Sequence, residues 1–193
     1  GVNYRIRFEY FQEGGGAAAS FTWKRKNETR DLFIEHLNKA DMIVACFGHS
    51  SDSEAEGGDR SFFLPEADSQ LIARIAKCKK PIIGVVNAGG NIGMQIWEPS
   101  LKVLLWGWYA GQEGGHAIAD VLFGKVNPSG KLPMTFEKKW EDNPAYNSYH
   151  DPDGDKHVKY TEGIYIGYRG YDKRGRDVQY PFGYGLSYTS FKL

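Results

Sequence analysis

Two closely spaced carboxylates, Glu54 and Glu56, stand in the stretch SSDSEAEGGDRSFFLP, residues 50–65. Two glycines and an Asp59–Arg60 pair follow them. A carboxyl group in such a loop can act as a general acid or base if burial or a neighbouring charge raises its pKa. The alternative is a solvated acidic loop, and residue type and position alone favour that alternative.

Three apolar runs predict the strands that would position this loop. DMIVACFG has the continuous apolar pattern of a strand buried on both faces, PIIGVVNAGG predicts a second buried strand, and SLKVLLWGWY predicts a third. The acidic loop follows the first run. Because α/β proteins bind ligands beyond the carboxyl ends of their strands, the loop lies where a site is expected.

Helix patterns alternate with these strands. NETRDLFIEHLNKA carries Asn27 or Thr29 as a possible cap, LPEADSQLIARIAKC places Pro65 in its first turn, and QEGGHAIADVLFG ends at Gly124. Strand and helix in alternation predict an α/β fold with a mostly parallel sheet covered by helices.

The two ends of the chain have different patterns. YRIRFEYF, EGGGAAAS and SFTW predict a β-hairpin within the first 23 residues. Residues 138–160 are polar and predicted to be irregular. The glycine- and aromatic-rich stretches EGIYIGYRGYD and VQYPFGYGLSYTSFKL indicate strands and packed loops, with Tyr165 and Tyr168 as core or strand residues.

Composition excludes several classes of function. The 193 residues contain 24 Lys plus Arg and 24 Asp plus Glu, which removes the electrostatic argument for nucleic acid or an anionic membrane as a partner. No apolar stretch approaches the roughly 20 residues that span a bilayer, and no signal peptide is visible. The two cysteines, Cys46 and Cys78, are expected to be small buried thiols.

Other motifs carry less chemistry. NAGGNIG fails the spacing of a dinucleotide-binding fingerprint. The glycine of DPDGD, which contains Asp151, Asp153 and Asp155, is at the fourth position and not the sixth, so a solvated turn is favoured over a calcium loop. His49 lies close enough to the acidic loop to contact a substrate, although a loop histidine without a catalytic role is favoured. We expect neither a cofactor nor a metal.

The loop and several later stretches together resemble a known family. EAEGGDR, with the leucine–proline step and QLI after it, resembles the acid/base loop of family-3 glycoside hydrolases, the β-glucosidases, β-xylosidases and their relatives. PIIGVVNAGG, WYAGQEGGHAIADVLFGKVNPSGKLPMTF, YTEGIYIGYRGYD and YPFGYGLSYTSF resemble stretches of that family's C-terminal part in the same order. The resemblance covers about residues 40–191.

The resemblance implies a domain organisation. Residues 1–24 resemble the closing hairpin of a PA14 domain, a short β-hairpin remnant at the N-terminus of this chain. Residues 25–183 would form the family's C-terminal three-layer α/β-sandwich domain, with a mostly parallel sheet flanked by helices. Residues 184–193 resemble the start of a fibronectin-III-like domain.

The resemblance also implies a function. It implies a retaining, exo-acting β-glycosidase that removes terminal non-reducing β-linked sugars from an oligosaccharide or β-glycoside substrate. Glu56 best matches the general acid/base, with Glu54 as the alternate, and the nucleophilic aspartate would lie on an N-terminal (β/α)8-like barrel that this chain lacks. Asp59 and Arg60 are expected to brace the loop through an ion pair. Trp106, Trp108 and Glu113 lie in the stretch WGWYAGQEGG, which we interpret first as a packing and turn motif and only secondarily as a source of site residues.

Two further expectations follow from the absent barrel and the family. The chain alone should not hydrolyse glycosides, and the resemblance favours a periplasmic or secreted location. An alternative from another class is a non-catalytic carbohydrate-binding or scaffold module in which the loop glutamates are structural.

Overall fold

Helices and strands alternate along the chain. The structure, a computed structural model, describes residues 32–151 and 153–190. In order the elements are α1 (Leu32–Lys39), β1 (Ile43–Gly48), α2 (Glu66–Ala76), β2 (Ile82–Asn87), a 3-10 helix (Glu98–Ser100), β3 (Val103–Trp106), α3 (Gly114–Leu122), β4 (Phe136–Glu137), a second 3-10 helix (Trp140–Asp142), α4 (Tyr168–Arg174) and β5 (Val178–Tyr180). The predicted hairpin in residues 1–24 and the predicted caps Asn27 and Thr29 lie outside the described residues.

A parallel sheet with the order β1-β2-β3 forms the centre of the described structure. Ile43 pairs with Ile82, and Ile83 of β2 pairs with Val103 of β3. Parallel neighbours cannot be joined by a tight turn, and α2 provides the crossover between β1 and β2 while packing against β1. The predicted α/β fold, a parallel sheet with helices, is confirmed.

The hydrophobic core gathers on β2 and on one face of α2. Val85 and Val86 are fully buried, and Ile72 and Ile75 of α2 are 2% exposed. Each such side chain contributes roughly 1.5–3 kcal/mol to folding when fully buried. As the middle strand, β2 carries buried side chains on both faces, so its prediction as a buried strand is confirmed.

The first strand differs from its prediction. β1 alternates between buried and exposed side chains, with Phe47 buried but Val44 50% exposed, so it is not buried on both faces. Among the described residues β1 lies at the edge of the sheet, and these residues cover only one of its faces. Cys46 points to the open face and is exposed, which corrects its prediction as a buried thiol, whereas Cys78 is buried as expected.

The aromatic segment near the C-terminus also differs from its prediction. YRGYD begins α4 instead of a strand, with Gly167 before the helix at φ 55° and Gly175 after it at φ 58°. Both glycines adopt backbone conformations that favour glycine, and these set the ends of the helix. Tyr165 and Tyr168 are exposed, not core residues, and Tyr171 is the buried tyrosine of this segment.

A small antiparallel pair joins the later part of the chain to the core. Phe136 of β4 pairs with Tyr180 of β5, and Phe136 is 1% exposed. The stretch 138–160 contains one 3-10 helix and otherwise lacks helix and strand among its described residues, as predicted. No helix in the described ranges combines the length and apolar character required to cross a membrane.

Gly48, the last residue of β1, provides a test of this packing. Its φ is +145°, and a Cβ built there would overlap the carbonyl group of Asn87 at the end of β2. We expect Gly48→Ala to lower the free energy of unfolding by roughly 2–4 kcal/mol, because backbone strain and a steric overlap add. Urea unfolding followed by tryptophan fluorescence measures the change.

Gly115→Ala is the matched control for this substitution. Gly115 lies in α3, and no atom comes within 4 Å of a Cβ built on it. We expect unchanged or slightly higher stability, since alanine favours a helix over glycine by up to about 1 kcal/mol. Equal stability of Gly48→Ala and the unsubstituted chain would contradict the close approach of the two strand ends.

Candidate functional site

The acidic loop leaves the carboxyl end of β1 and meets the loops that follow β2 and β3. Since parallel strands end at the same edge of a sheet, these three loops lie together. Glu54 contacts Gly89, which follows β2, and Tyr109, which follows β3. A side chain at position 89 would collide with the Glu54 carboxylate, so the close approach requires glycine there.

Arg60 holds the loop in place. Its Nε lies 3.1 Å from Oε2 of Glu54, and the two side chains are 18% and 23% exposed. Its Nη2 donates to the carbonyl oxygen of Asn91 at 2.7 Å, and its Nη1 donates to that of Ser61. Arg60 therefore links two parts of the acidic loop to the loop after β2.

Tyr109 is the second partner of Glu54. Partial burial, followed by the hydrogen bond to Glu54 and the charge of this carboxylate, raises the pKa of the Tyr109 phenol. The phenol is a neutral donor that can donate to the carboxylate. Glu54 is held from two sides, by a cation and by a neutral donor.

Glu56 is in a different environment from Glu54. It is exposed, and it makes no hydrogen bond or ion pair within the described part of the chain. Gly57 follows at φ +76°, and a Cβ built on Gly57 or Gly58 would meet no atom within 4 Å. The tip of the loop therefore extends away from its own domain with Glu56 on it.

Asp59 and Arg60 brace the loop through separate contacts. Arg60 pairs with Glu54, whereas Oδ1 of Asp59 accepts a hydrogen bond from the Tyr149 hydroxyl at 2.7 Å. That hydrogen bond, and then the charge of Asp59, raise the pKa of Tyr149. The Asp59 contact joins the loop to the irregular segment 138–160.

His49 lies below the loop and away from its tip. The residue is 7% exposed, and its Nδ1 lies 3.1 Å from Oγ of Ser53. Burial, followed by the charge of Arg60, lowers its pKa below the ordinary 6.5, which favours a neutral ring at neutral pH. Together with Asp68, His49 lines a small cavity of about 320 Å³. A contact between His49 and a substrate stays a prediction.

A larger cavity of about 840 Å³ opens beside the acidic loop. Its lining includes two buried carboxylates that sequence reasoning missed, Glu137 and Glu162. Glu137 accepts hydrogen bonds from the Tyr171 hydroxyl and from Nδ2 of Asn143, both at 3.2 Å. Burial, followed by the charge of Glu137, raises the pKa of Tyr171.

The tryptophans at the end of β3 and just after it serve packing. The Trp106 and Trp108 rings lie 4.7 and 6.1 Å from that of Phe136, in edge-to-face geometry. Glu113 is exposed, and its carboxylate lies 2.8 Å from Nδ1 of His116. These residues lie in packing and turn contacts, as the pattern predicted.

The DPDGD stretch forms a turn. Oxygens of Asp151, Asp153 and Asp155 lie within 4.8 Å of one another. Asp151 accepts hydrogen bonds from the backbone amides of Gly154 and Lys156 at 3.0 and 2.8 Å, and the Lys156 amide contributes most to lowering the pKa of its carboxyl group. Hydrogen bonds from backbone amides therefore stabilise the carboxylates of this turn.

Known proteins with related sequences are β-glucosidases. Probable beta-glucosidase K of Emericella nidulans is 45% identical over 159 residues, covering 82% of this chain and 19% of that protein. Putative beta-glucosidase of Schizosaccharomyces pombe is 36% identical over 213 residues, covering all of this chain and 25% of its own length. The chain thus spans between a fifth and a quarter of these curated relatives.

Solved structures give the same result, and a family profile extends it. The β-glucosidase of Kluyveromyces marxianus in complex with glucose has a TM-score of 0.75 at 39% identity, covering 81% of this chain and 18% of that one. The GH3 β-glucosidase of Bifidobacterium adolescentis has a TM-score of 0.77 at 36% identity, covering 86% and 25%. Residues 8–168 match the profile described as glycosyl hydrolase family 3 C-terminal domain. The chain therefore belongs to glycosyl hydrolase family 3, of which it carries the C-terminal domain.

Proposed function

We propose that this chain is the C-terminal portion of a retaining, exo-acting β-glycosidase of the β-glucosidase or β-xylosidase type. Its substrates are β-glycosides or oligosaccharides with a terminal non-reducing β-linked sugar. Family membership and relatives named as β-glucosidases support the reaction class. The nucleophilic aspartate comes from an N-terminal (β/α)8-like barrel of the same enzyme, so the chain by itself is inactive.

In this proposal Glu56 is the general acid/base. The observation that carries it is the contrast between the two loop glutamates: Glu54 is held by Arg60 and Tyr109, whereas Glu56 stands unengaged at an exposed tip. A general acid must reach the glycosidic oxygen and exchange protons with it. Of the two loop glutamates, Glu56 has the carboxyl group that can do so without breaking an ion pair.

The mechanism divides the work between two carboxyl groups on two domains. Retaining glycosidases place the pair roughly 5–5.5 Å apart. Glu56 protonates the leaving oxygen while the barrel aspartate attacks the anomeric carbon, and the Glu56 carboxylate then takes a proton from the water that cleaves the covalent intermediate.

Replacing Glu56 by alanine in the full-length enzyme tests the assignment. We expect turnover of a substrate with a poor leaving group to fall roughly 10²- to 10⁴-fold, the usual contribution of a general acid. An activated aryl glycoside should lose much less, because its leaving group departs without protonation. Added azide should restore part of the second step and yield a glycosyl azide, which chromatography measures directly.

Glu54→Ala is the partner variant, and it predicts a different outcome. We expect a lower melting temperature, because Arg60 loses its partner in the half-buried pair. Turnover should fall by a similar factor for good and poor leaving groups, with no azide rescue. Azide rescue of Glu54→Ala but not of Glu56→Ala would move the acid/base role to Glu54. Full activity of both variants would refute the catalytic interpretation of the loop.

A non-catalytic module in which the glutamates are structural is the second candidate. The ion pair between Arg60 and Glu54 favours a structural role for Glu54. The second candidate gives Glu56, which lies beside two glycines that leave the loop tip free, no role beyond solvation. Under this second candidate, Glu56→Ala would leave turnover unchanged.

A further inference from the structure

Glu162 is a buried carboxylate whose two oxygens differ in their side-chain hydrogen bonds. It is 8% exposed, and its Oε1 accepts a hydrogen bond from Oγ of Ser148 at 2.5 Å. Oε2 is buried and has no hydrogen-bond partner in the described part of the chain. The Ser148 hydrogen bond contributes most to lowering the pKa of Glu162, so the group is ionised and can only accept.

An unpaired oxygen on a buried carboxylate is costly, and native proteins rarely leave one without a donor. Glu162 lines the 840 Å³ cavity beside the acidic loop. A cavity of that volume falls within the roughly 300–1,000 Å³ range of small-molecule sites. The missing donor is therefore expected from a molecule that enters this cavity.

Aromatic rings form much of the remaining wall. Phe62, Trp140 and Tyr149 line the cavity, and the Trp140 ring contacts the other two, with centroid distances of 5.9 Å to Phe62 and 6.3 Å to Tyr149. Broad apolar faces together with a few fixed polar acceptors suit a ligand that has both C–H faces and hydroxyl groups. A pyranose ring has this combination.

The cavity adjoins the proposed general acid. Ala55 and Gly58, on either side of Glu56 in the chain, both line it. A general acid lies within hydrogen-bond reach of the glycosidic oxygen, and the leaving group is bonded to that same oxygen. The space next to Glu56 on this domain is therefore available to the leaving-group sugar.

We propose that this cavity binds the leaving-group sugar of the substrate, and that Glu162 accepts a hydrogen bond from one of its hydroxyl groups. The proposal rests on the proposed glycosidase function and adds a substrate-binding residue to it. Ser148 has a positioning role, since its hydroxyl fixes the Glu162 carboxylate.

The experiment compares two substrates that share a terminal sugar. Cellobiose carries a glucose leaving group with hydroxyls, whereas 4-nitrophenyl β-glucoside carries an aryl group without any. In the full-length enzyme, Glu162→Gln should lower the ratio of kcat/KM for cellobiose to that for the aryl glucoside about ten- to a hundredfold, the effect of losing a charge-assisted hydrogen bond. Glu141→Gln, which removes an exposed carboxylate of the 3-10 helix nearby, should leave this ratio unchanged.

An unchanged ratio for Glu162→Gln would overturn the proposal. An equal loss on both substrates would overturn it too, because this is the expected result if Glu162 instead pairs with a cation of the barrel domain. Should Glu162→Gln fail to fold, Glu162→Asp, which keeps the charge but withdraws it by one methylene, must lower the same ratio. If the unsubstituted enzyme cleaves neither these two glucosides nor the corresponding pair xylobiose and 4-nitrophenyl β-xyloside, the proposed function itself fails, an outcome distinct from the others.

Discussion

The contact of the Arg60 guanidinium with Glu54 at 3.1 Å and with the Asn91 carbonyl at 2.7 Å determines where the acidic loop can go. A loop of this length after a strand has many conformations, and ordering each residue costs about 1–2 kcal/mol of backbone entropy. The guanidinium offsets part of this cost by tying Glu54 and Arg60, the two ends of the five-residue excursion 55–59, to the neighbouring loop. The excursion carries Glu56 outward, and the parallel sheet beneath provides the fixed edge on which this depends.

The carboxylates around the site differ in their hydrogen-bond and ion-pair partners. Glu54 is neutralised by a cation, Glu137 accepts from a phenol and an amide, and Glu162 accepts from a single hydroxyl. Glu56 has none of these partners. Under the two proposals above, chemically identical side chains serve as an anchor, a core acceptor, a ligand acceptor and a proton carrier, because the local donors differ.

The parts of the structure that depend on local sequence patterns could be predicted from the sequence. The apolar run around Val86 predicted the central strand, Pro65 marked the start of α2, and Gly124 at φ +72° follows the end of α3. Sequence reasoning could not predict the exposure of Cys46, because an apolar run does not reveal whether a strand lies at an edge. It missed α4 because tyrosine-rich segments also suit strands, and here the glycines at either end set a helix.

The carboxylate contacts that matter for chemistry lay mostly beyond the sequence. The loop motif identified Glu54 and Glu56 as candidates, but nothing in the order of residues tells which one meets Arg60. Glu162 and Ser148 are fourteen residues apart in an irregular segment, and no periodic pattern predicts their meeting. Contacts across irregular segments depend on tertiary packing, which the linear pattern does not encode.

The hydrogen bond from Tyr149 to Asp59 spans ninety residues of chain and couples two segments of different character. The segment around Tyr149 lacks regular structure, and such segments tolerate insertions and substitutions that a strand would reject. Natural divergence in that segment can therefore shift the loop tip by small amounts while the ion pair beneath it stays intact. Under the proposed function, selectivity among leaving groups would then evolve in one segment while proton transfer is preserved in another, within a single small domain.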